Sequence, residues 1–191
     1  PTVYLFEFII VENDSEAQLQ TEIDAFKAKT DAVVTYAQEG EPGIPFARNA
    51  VIQIALDHDA DFLIFADDDE RVAPDWAVSL IDAMRAQSLD LAGGPLRIEA
   101  ETAIETPWQG AVLTFLQKKA AKTEAKRRAK TVVGQNHPNE MYTNNWAVNL
   151  HFIRRTGLKF DTALRYTGGS DTALSLAARQ GGWATLSAQQ I

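Results

Sequence analysis

Apolar positions along the chain fall into two rhythms, and the first half alternates between them. Val3 to Val11 is rich in β-branched and aromatic residues, which predicts a strand. The polar turn Glu12-Asn13-Asp14-Ser15 follows. Asp14 or Ser15 can cap a helix over 16–29, with Leu19, Ile23 and Phe26 as its buried stripe. Ala32 to Tyr36 predicts a second strand. Residues 38–45 hold two glycines and two prolines, the composition of a loop. Pro45 opens a helix to about His58, with Ala47, Val51, Ile54 and Ala55 facing inward. Phe62-Leu63-Ile64-Phe65-Ala66 is continuous and apolar, the mark of a strand buried on both faces. Pro74 starts a helix with Trp76, Leu80, Ile81 and Met84 on one side. Leu89 to Ala92 is a short strand closed by Gly93-Gly94-Pro95, and Leu96 to Ile104 reads as extended.

This order, strand and helix in turn, predicts an α/β fold with a mostly parallel central sheet flanked by helices. No repeat or low-complexity linker interrupts it, so residues 1–191 are expected to form one domain, with halves 1–95 and 96–191. The rhythm changes after Pro107. Gly110 to Lys130 is helical, with Val112, Leu113, Leu116 and Ala120 as a modest stripe. A polar loop spans 134–145, Trp146 to Phe152 alternates as a strand, and 154–166 is irregular. Gly168-Gly169-Ser170-Asp171 leads into a helix over Thr172 to Gln180, ended by Gly181-Gly182, and Trp183 to Leu186 predicts a last strand.

Composition narrows the class. A chain of 191 residues that is 46% hydrophobic supports a sizeable core. No apolar run approaches the roughly 20 residues that cross a bilayer, and Pro1-Thr2 does not open a basic leader. Cysteine is absent, which removes disulfides, thiolate metal sites and cysteine nucleophiles and fits a cytoplasmic location. The net charge is −8, unevenly spread. Lys118 to Lys130 carries seven basic residues against Glu124 alone, a net +6, so the rest carries −14. Either a local anionic partner or a solvated helix face accounts for that segment.

Candidate chemistry gathers at the predicted strand ends. Asp67-Asp68-Asp69-Glu70 follows the central apolar run, and four adjacent carboxylates are not buried unpaired. They form either a solvated loop or a site for a hard divalent cation that holds a substrate phosphate. Glu12 and Asp14 follow the first strand, and Arg48 begins a helix after the glycine-rich loop. Asp171 begins a late helix, where it is either a general base or an N-cap.

Five stretches together carry a resemblance. They are 8–15 (FIIVENDS), 42–49 (PGIPFARN), 65–70 (FADDDE, with Pro74 and Trp76 after it), Gly93-Gly94-Pro95, and a late set. The late set is Phe160-Asp161, Gly168-Gly169-Ser170-Asp171 and Gly181-Gly182-Trp183. In this order they resemble the family 2 glycosyltransferases of GT-A fold, in particular those building bacterial exopolysaccharides and surface glycans. The resemblance implies an inverting sugar transfer from a nucleotide-diphosphate donor, favouring a UDP-sugar, to a glycan or lipid-linked acceptor. It implies Mg²⁺ or Mn²⁺ on Asp69 assisted by Asp67, with Asp68 beside them. It also implies nucleotide contacts from Glu12, Asp14 and Arg48, and Asp171 as the base. The basic segment adds a peripheral membrane contact; a nucleic-acid partner is not expected.

Departures from the family pattern are specific. The family begins with an extra strand and helix, so the chain is expected to be truncated at its N-terminus. Ser170 replaces the acid that usually precedes the catalytic Asp, and Glu12 is one methylene longer than the usual Asp. Two other readings stand beside the transferase. One is a sugar nucleotidyltransferase, which wants a basic glycine-rich loop after the first strand. The other is a nucleotide-binding or scaffold domain without turnover. Trp76 reads as core. Trp108 and Trp146 are either packing or sugar-stacking residues, and His58, His137 and His151 lack metal-ligand spacing.

Overall fold

The computed structural model describes residues 3–100, 103–130, 145–180 and 186–188. Expectations for the 134–144 loop with His137, and for Gly181-Gly182-Trp183, lie outside the described residues. Strand β1 (Glu7–Glu12) pairs in parallel with β2 (Val33–Gln38), from Glu7 opposite Val33 to Glu12 opposite Gln38. β1 starts four residues later than its composition predicts. Val3 and Leu5 are 85% and 98% exposed, and pairing begins only where Val33 offers a partner. Helix α1 (Gln20–Lys27) also starts late and has no side-chain cap from Asp14 or Ser15. The Glu12 carboxylate instead accepts the backbone N–H groups of Gln18 and Leu19, which holds the entry to α1 as an irregular turn.

Helix α2 (Ile44–Asp57) carries Pro45 in its first turn. Its fully buried side is Pro45, Ile52 and Ala55, rotated from the expected stripe. After strands β3 (Phe62–Phe65), β4 (Leu91–Gly93) and β5 (Trp146–Asn149) comes α5 (Leu150–Thr156). The strand predicted to Phe152 therefore stops at Asn149. The Asn149 side chain accepts from His151 N at 2.9 Å and caps the new helix, which turns Leu150, Phe152 and Ile153 inward. A 3-10 turn over Thr162–Leu164 and helix α6 (Ser170–Gln180) follow.

The chain divides into two compact units. One joins Pro1–Leu63 to Asn149–Trp183, and the other joins Ile64–Val148 to Ala184–Ile191. The core of the first holds Ile23, Ile52, Ala55, Phe152, Phe160, Leu174 and Ala178, each under a tenth exposed. The second contains α3 (Trp76–Gln87), α4 (Pro107–Lys130) and β6 (Leu186–Ala188). Its sheet runs in the order β3-β5-β4-β6, with β4 antiparallel to β5 and parallel to β6. The unit boundary falls within β3 and β5. Leu80, Ile81 and Met84 of α3 are buried as predicted; each contributes about 1.5–3 kcal/mol of apolar burial. The β1–β2 and β4–β6 ladders are parallel and the β4–β5 ladder is antiparallel. Residues 94–100 and 103–105 belong to no helix or strand.

Candidate functional site

The first unit brings Arg48 and Asp171 together across 123 residues. Arg48 Nη1 donates to Asp171 Oδ1 at 2.6 Å, with side chains 13% and 25% exposed. Arg48 is the fifth residue of α2, and Asp171 lies in the first turn of α6. A carboxylate there is favoured by the helix dipole. Ser170 Oγ donates to the same aspartate oxygen at 3.2 Å. The neighbour of Arg48 fixes this arrangement. Asn49 donates from Nδ2 to the carbonyl of Phe160 at 3.0 Å and accepts the Phe160 N–H at 2.8 Å. The Arg48 guanidinium lies 5.6 Å from the centre of the fully buried Phe160 ring.

The glycine-rich loop before α2 is pinned at both ends. Asn13 donates to the carbonyls of Glu39 and Glu41 and accepts from Gly43 N at 2.8 Å. Gly43 has φ of +132°, and a Cβ there would meet Arg165 Cβ at 2.9 Å. Arg165 donates to Glu41 at 2.8 Å, which raises its pKa, and covers the Phe46 ring at 4.6 Å.

Glu12 is 9% exposed and accepts from Gln18, Leu19 and the Tyr36 hydroxyl. The tyrosine hydrogen bond, aided by the two backbone N–H groups, holds its carboxyl below the usual glutamate range, against the opposing effects of burial and Asp14. The same bond pushes the Tyr36 phenol up. Asp14 is exposed at the end of β1 and accepts from Ser15 N at 2.6 Å.

In the second unit Asp67, Asp68 and Asp69 leave β3 into solvent, as the carboxylate chemistry requires. The strand end behind them is anchored by Phe65, which stacks on the buried Trp146 at 5.3 Å and 9°. Trp146 is therefore packing, whereas Trp108 is 76% exposed. Asn145 ties three segments. It accepts from Trp76 Nε1 at 2.8 Å, donates to Pro95 O at 2.9 Å, and offers its backbone carbonyl to Gly94 N. Trp76 is thus half-buried and hydrogen-bonded rather than pure core.

Among the described residues no group of three or more His, Asp or Glu could hold a metal. Mg²⁺ is commonly bound by one or two carboxylates plus substrate phosphates. Asp67 and Asp69 offer two exposed carboxylates after β3, a donor set of the kind such an ion takes together with a diphosphate. Of the predicted site residues the structure joins Arg48 to Asp171, places Glu12 and Asp14 at the end of β1, and places Asp67, Asp68 and Asp69 in the other unit. Sequence reasoning did not assign Asn13, Tyr36, Asn49 or Arg165. Asn13 and Asn49 each carried a signal, their places in the 8–15 stretch and beside Arg48 in the Ala-Arg-Asn stretch.

These elements define an α/β fold of GT-A type, with an acidic turn after β3, which lies at the edge of its sheet rather than at the centre. The crystal structure of S. aureus TarS 1–349 superimposes with a TM-score of 0.63 at 13% identity, over 95% of this chain and 48% of that one. The complex of the same protein with UDP gives 0.63 at 11% identity, over 96% and 48%. The sequence profile of glycosyl transferase family 2 matches residues 2–157, and the chain belongs to that family. Succinoglycan biosynthesis protein ExoM of Rhizobium meliloti (strain 1021) is 28% identical over 89 residues, 47% of this chain and 28% of that protein. The chain thus spans about half of the matched TarS chains and less of ExoM. Asp171 lies beyond the residues the family profile matches.

Proposed function

We propose that the chain transfers a sugar, with inversion, from a nucleotide-diphosphate donor to a hydroxyl of a glycan or lipid-linked acceptor. The observation that carries this reading is the Arg48–Asp171 pair. It brings an acid from outside the profile match onto the Ala-Arg-Asn turn inside it. Asp171 takes the proton of the acceptor hydroxyl as that oxygen bonds to the anomeric carbon. The bond from that carbon to the donor phosphate breaks, and the diphosphate leaves on the opposite face. Arg48 aims Asp171 through the hydrogen bond at 2.6 Å, and its guanidinium is of the kind that also pairs with a nucleotide phosphate. Asp67 and Asp69 would hold Mg²⁺ or Mn²⁺, with Asp68 beside them, and the ion would supply the charge that neutralises the leaving diphosphate. Asp14 contacts the nucleotide. Glu12 supports the nucleoside wall, since its acceptor sites are engaged by Gln18, Leu19 and Tyr36.

A UDP-sugar is the favoured donor, supported by the fold shared with the TarS–UDP complex. Similarity to ExoM, a succinoglycan biosynthesis protein, supports an acceptor in polysaccharide assembly. Calorimetry with UDP and Mn²⁺ tests the donor half. Asp69→Ala is expected to abolish Mn²⁺-dependent UDP binding, and undiminished binding would overturn the metal assignment. Mn²⁺ alone should bind weakly, because the diphosphate supplies the missing oxygens. For the chemical step, Asp171→Asn should bind UDP normally and lose transfer; unchanged turnover would remove Asp171 from the base role.

A further inference from the structure

Helix α4 exposes apolar side chains on the side turned away from its own unit. Gly110, Leu113 and Ala120 are half-buried on one side. A Cβ on Gly110 would lie 3.6 Å from Ile104, and Gln117 Nε2 donates to Ile98 O at 3.0 Å. The opposite side carries Trp108, Val112 and Phe115, which are 76%, 37% and 65% exposed. At 3.6 residues per turn, Lys119 and Lys122 continue the same stripe, and all five lie within about 40° of the Trp108 line. Both lysines are exposed. The apolar and basic residues are therefore segregated along the helix rather than around it.

We propose that this stripe docks on an anionic lipid bilayer, with Trp108, Val112 and Phe115 entering the interface and Lys119 and Lys122 meeting phosphate headgroups. Charge selects this occupant. The segment from Lys118 to Lys130 holds +6 while the remainder of the chain holds −14. An anionic surface attracts this segment while the net charge of the remainder opposes it. Exposed Trp and Phe beside a run of lysines is the composition of an interfacial helix. None of the described helices is long and apolar enough to cross a membrane, so contact through this helix is peripheral. The inference stands on α4 alone and does not require the transfer reading.

The test is co-sedimentation of the whole chain with vesicles of phosphatidylcholine, with and without phosphatidylglycerol, together with tryptophan emission. Retention is expected on the anionic vesicles only. Lys119→Gln with Lys122→Gln should weaken it on the order of tenfold to thirtyfold and reduce its salt sensitivity. Trp108→Ser with Phe115→Ser should remove the retention that survives high salt. The blue shift of emission on anionic vesicles should vanish in Trp108→Phe and survive in Trp76→Phe. Equal retention on neutral and anionic vesicles, or retention unaffected by both double variants, would overturn the proposal. So would a concentration-dependent dimer whose Trp108 emission is already shifted without lipid, because the stripe would then belong to a second copy. Donor binding measured without vesicles separates either result from failure of the transferase reading.

Discussion

Asn49 shows how much one amide can organise. Both of its polar atoms are committed to the backbone of Phe160, 111 residues away. Asn49→Ala leaves a part-buried N–H and C=O unpaired, at a cost of about 1–3 kcal/mol for each group. A lower urea midpoint with an unchanged slope is the expected readout, and an unshifted midpoint contradicts the clamp. Asn49→Asp should also be destabilising, since it sets an anionic oxygen against the Phe160 carbonyl. Glu12 and Tyr36 make a pH-dependent pair. The folded Glu12 pKa is depressed, so its stabilisation is present above the ordinary glutamate value of about 4.3 and is lost as pH falls through the folded value. The Tyr36 pKa is raised, so its share is present below the ordinary tyrosine value of about 10 and fades as pH rises through the folded one. The melting temperature of Tyr36→Phe should lie below that of the parent at pH 7, and the two should converge in acid. The residue types at the site were readable from the sequence. That Glu12 would hold the start of a helix was not, because a carboxylate at a strand end looks the same whichever donors it meets.

At the scale of elements, two glycines set what the neighbouring segments can do. Gly94 Cβ would come within 2.7 Å of Asn145 Nδ2, and that amide is already bonded to Trp76 and Pro95. Gly94→Ala should therefore loosen the contact between α3 and the end of β4, seen as faster hydrogen exchange at Trp76 Nε1. Gly43 occupies a backbone region open to almost nothing but glycine, where a side chain costs about 1–3 kcal/mol. Gly43→Ala should displace Arg165 from the Phe46 ring and lower the melting temperature. The strong helices were legible from periodicity, as Leu80, Ile81 and Met84 show. α5 was not. Its seven residues follow a strand without a break, and only the Asn149 side chain separates the two. The ends of β1 were equally hidden, because they depend on where β2 is available to pair.

For the whole molecule, ligand binding and folding share one equilibrium. A nucleotide that binds only the folded chain raises its melting temperature with concentration. UDP with Mn²⁺ should do so in the parent and not in Asp69→Ala. Leu80→Ala should lower the baseline by about 2–5 kcal/mol yet keep the increment. The fold class could be read from the order of strands and helices, and the family from motifs scattered over most of the chain. The partition into two discontinuous units could not, since it depends on which distant segments pack together. The Arg48–Asp171 contact has a consequence during synthesis. Its partners leave the ribosome 123 residues apart, about 6–25 seconds at ordinary elongation rates. For that interval Arg48 and Asn49 of α2 have neither the acid nor the Phe160 backbone to close on. A nascent chain stalled short of residue 160 would present that part of the helix to chaperones, with the side that meets Phe160 uncovered.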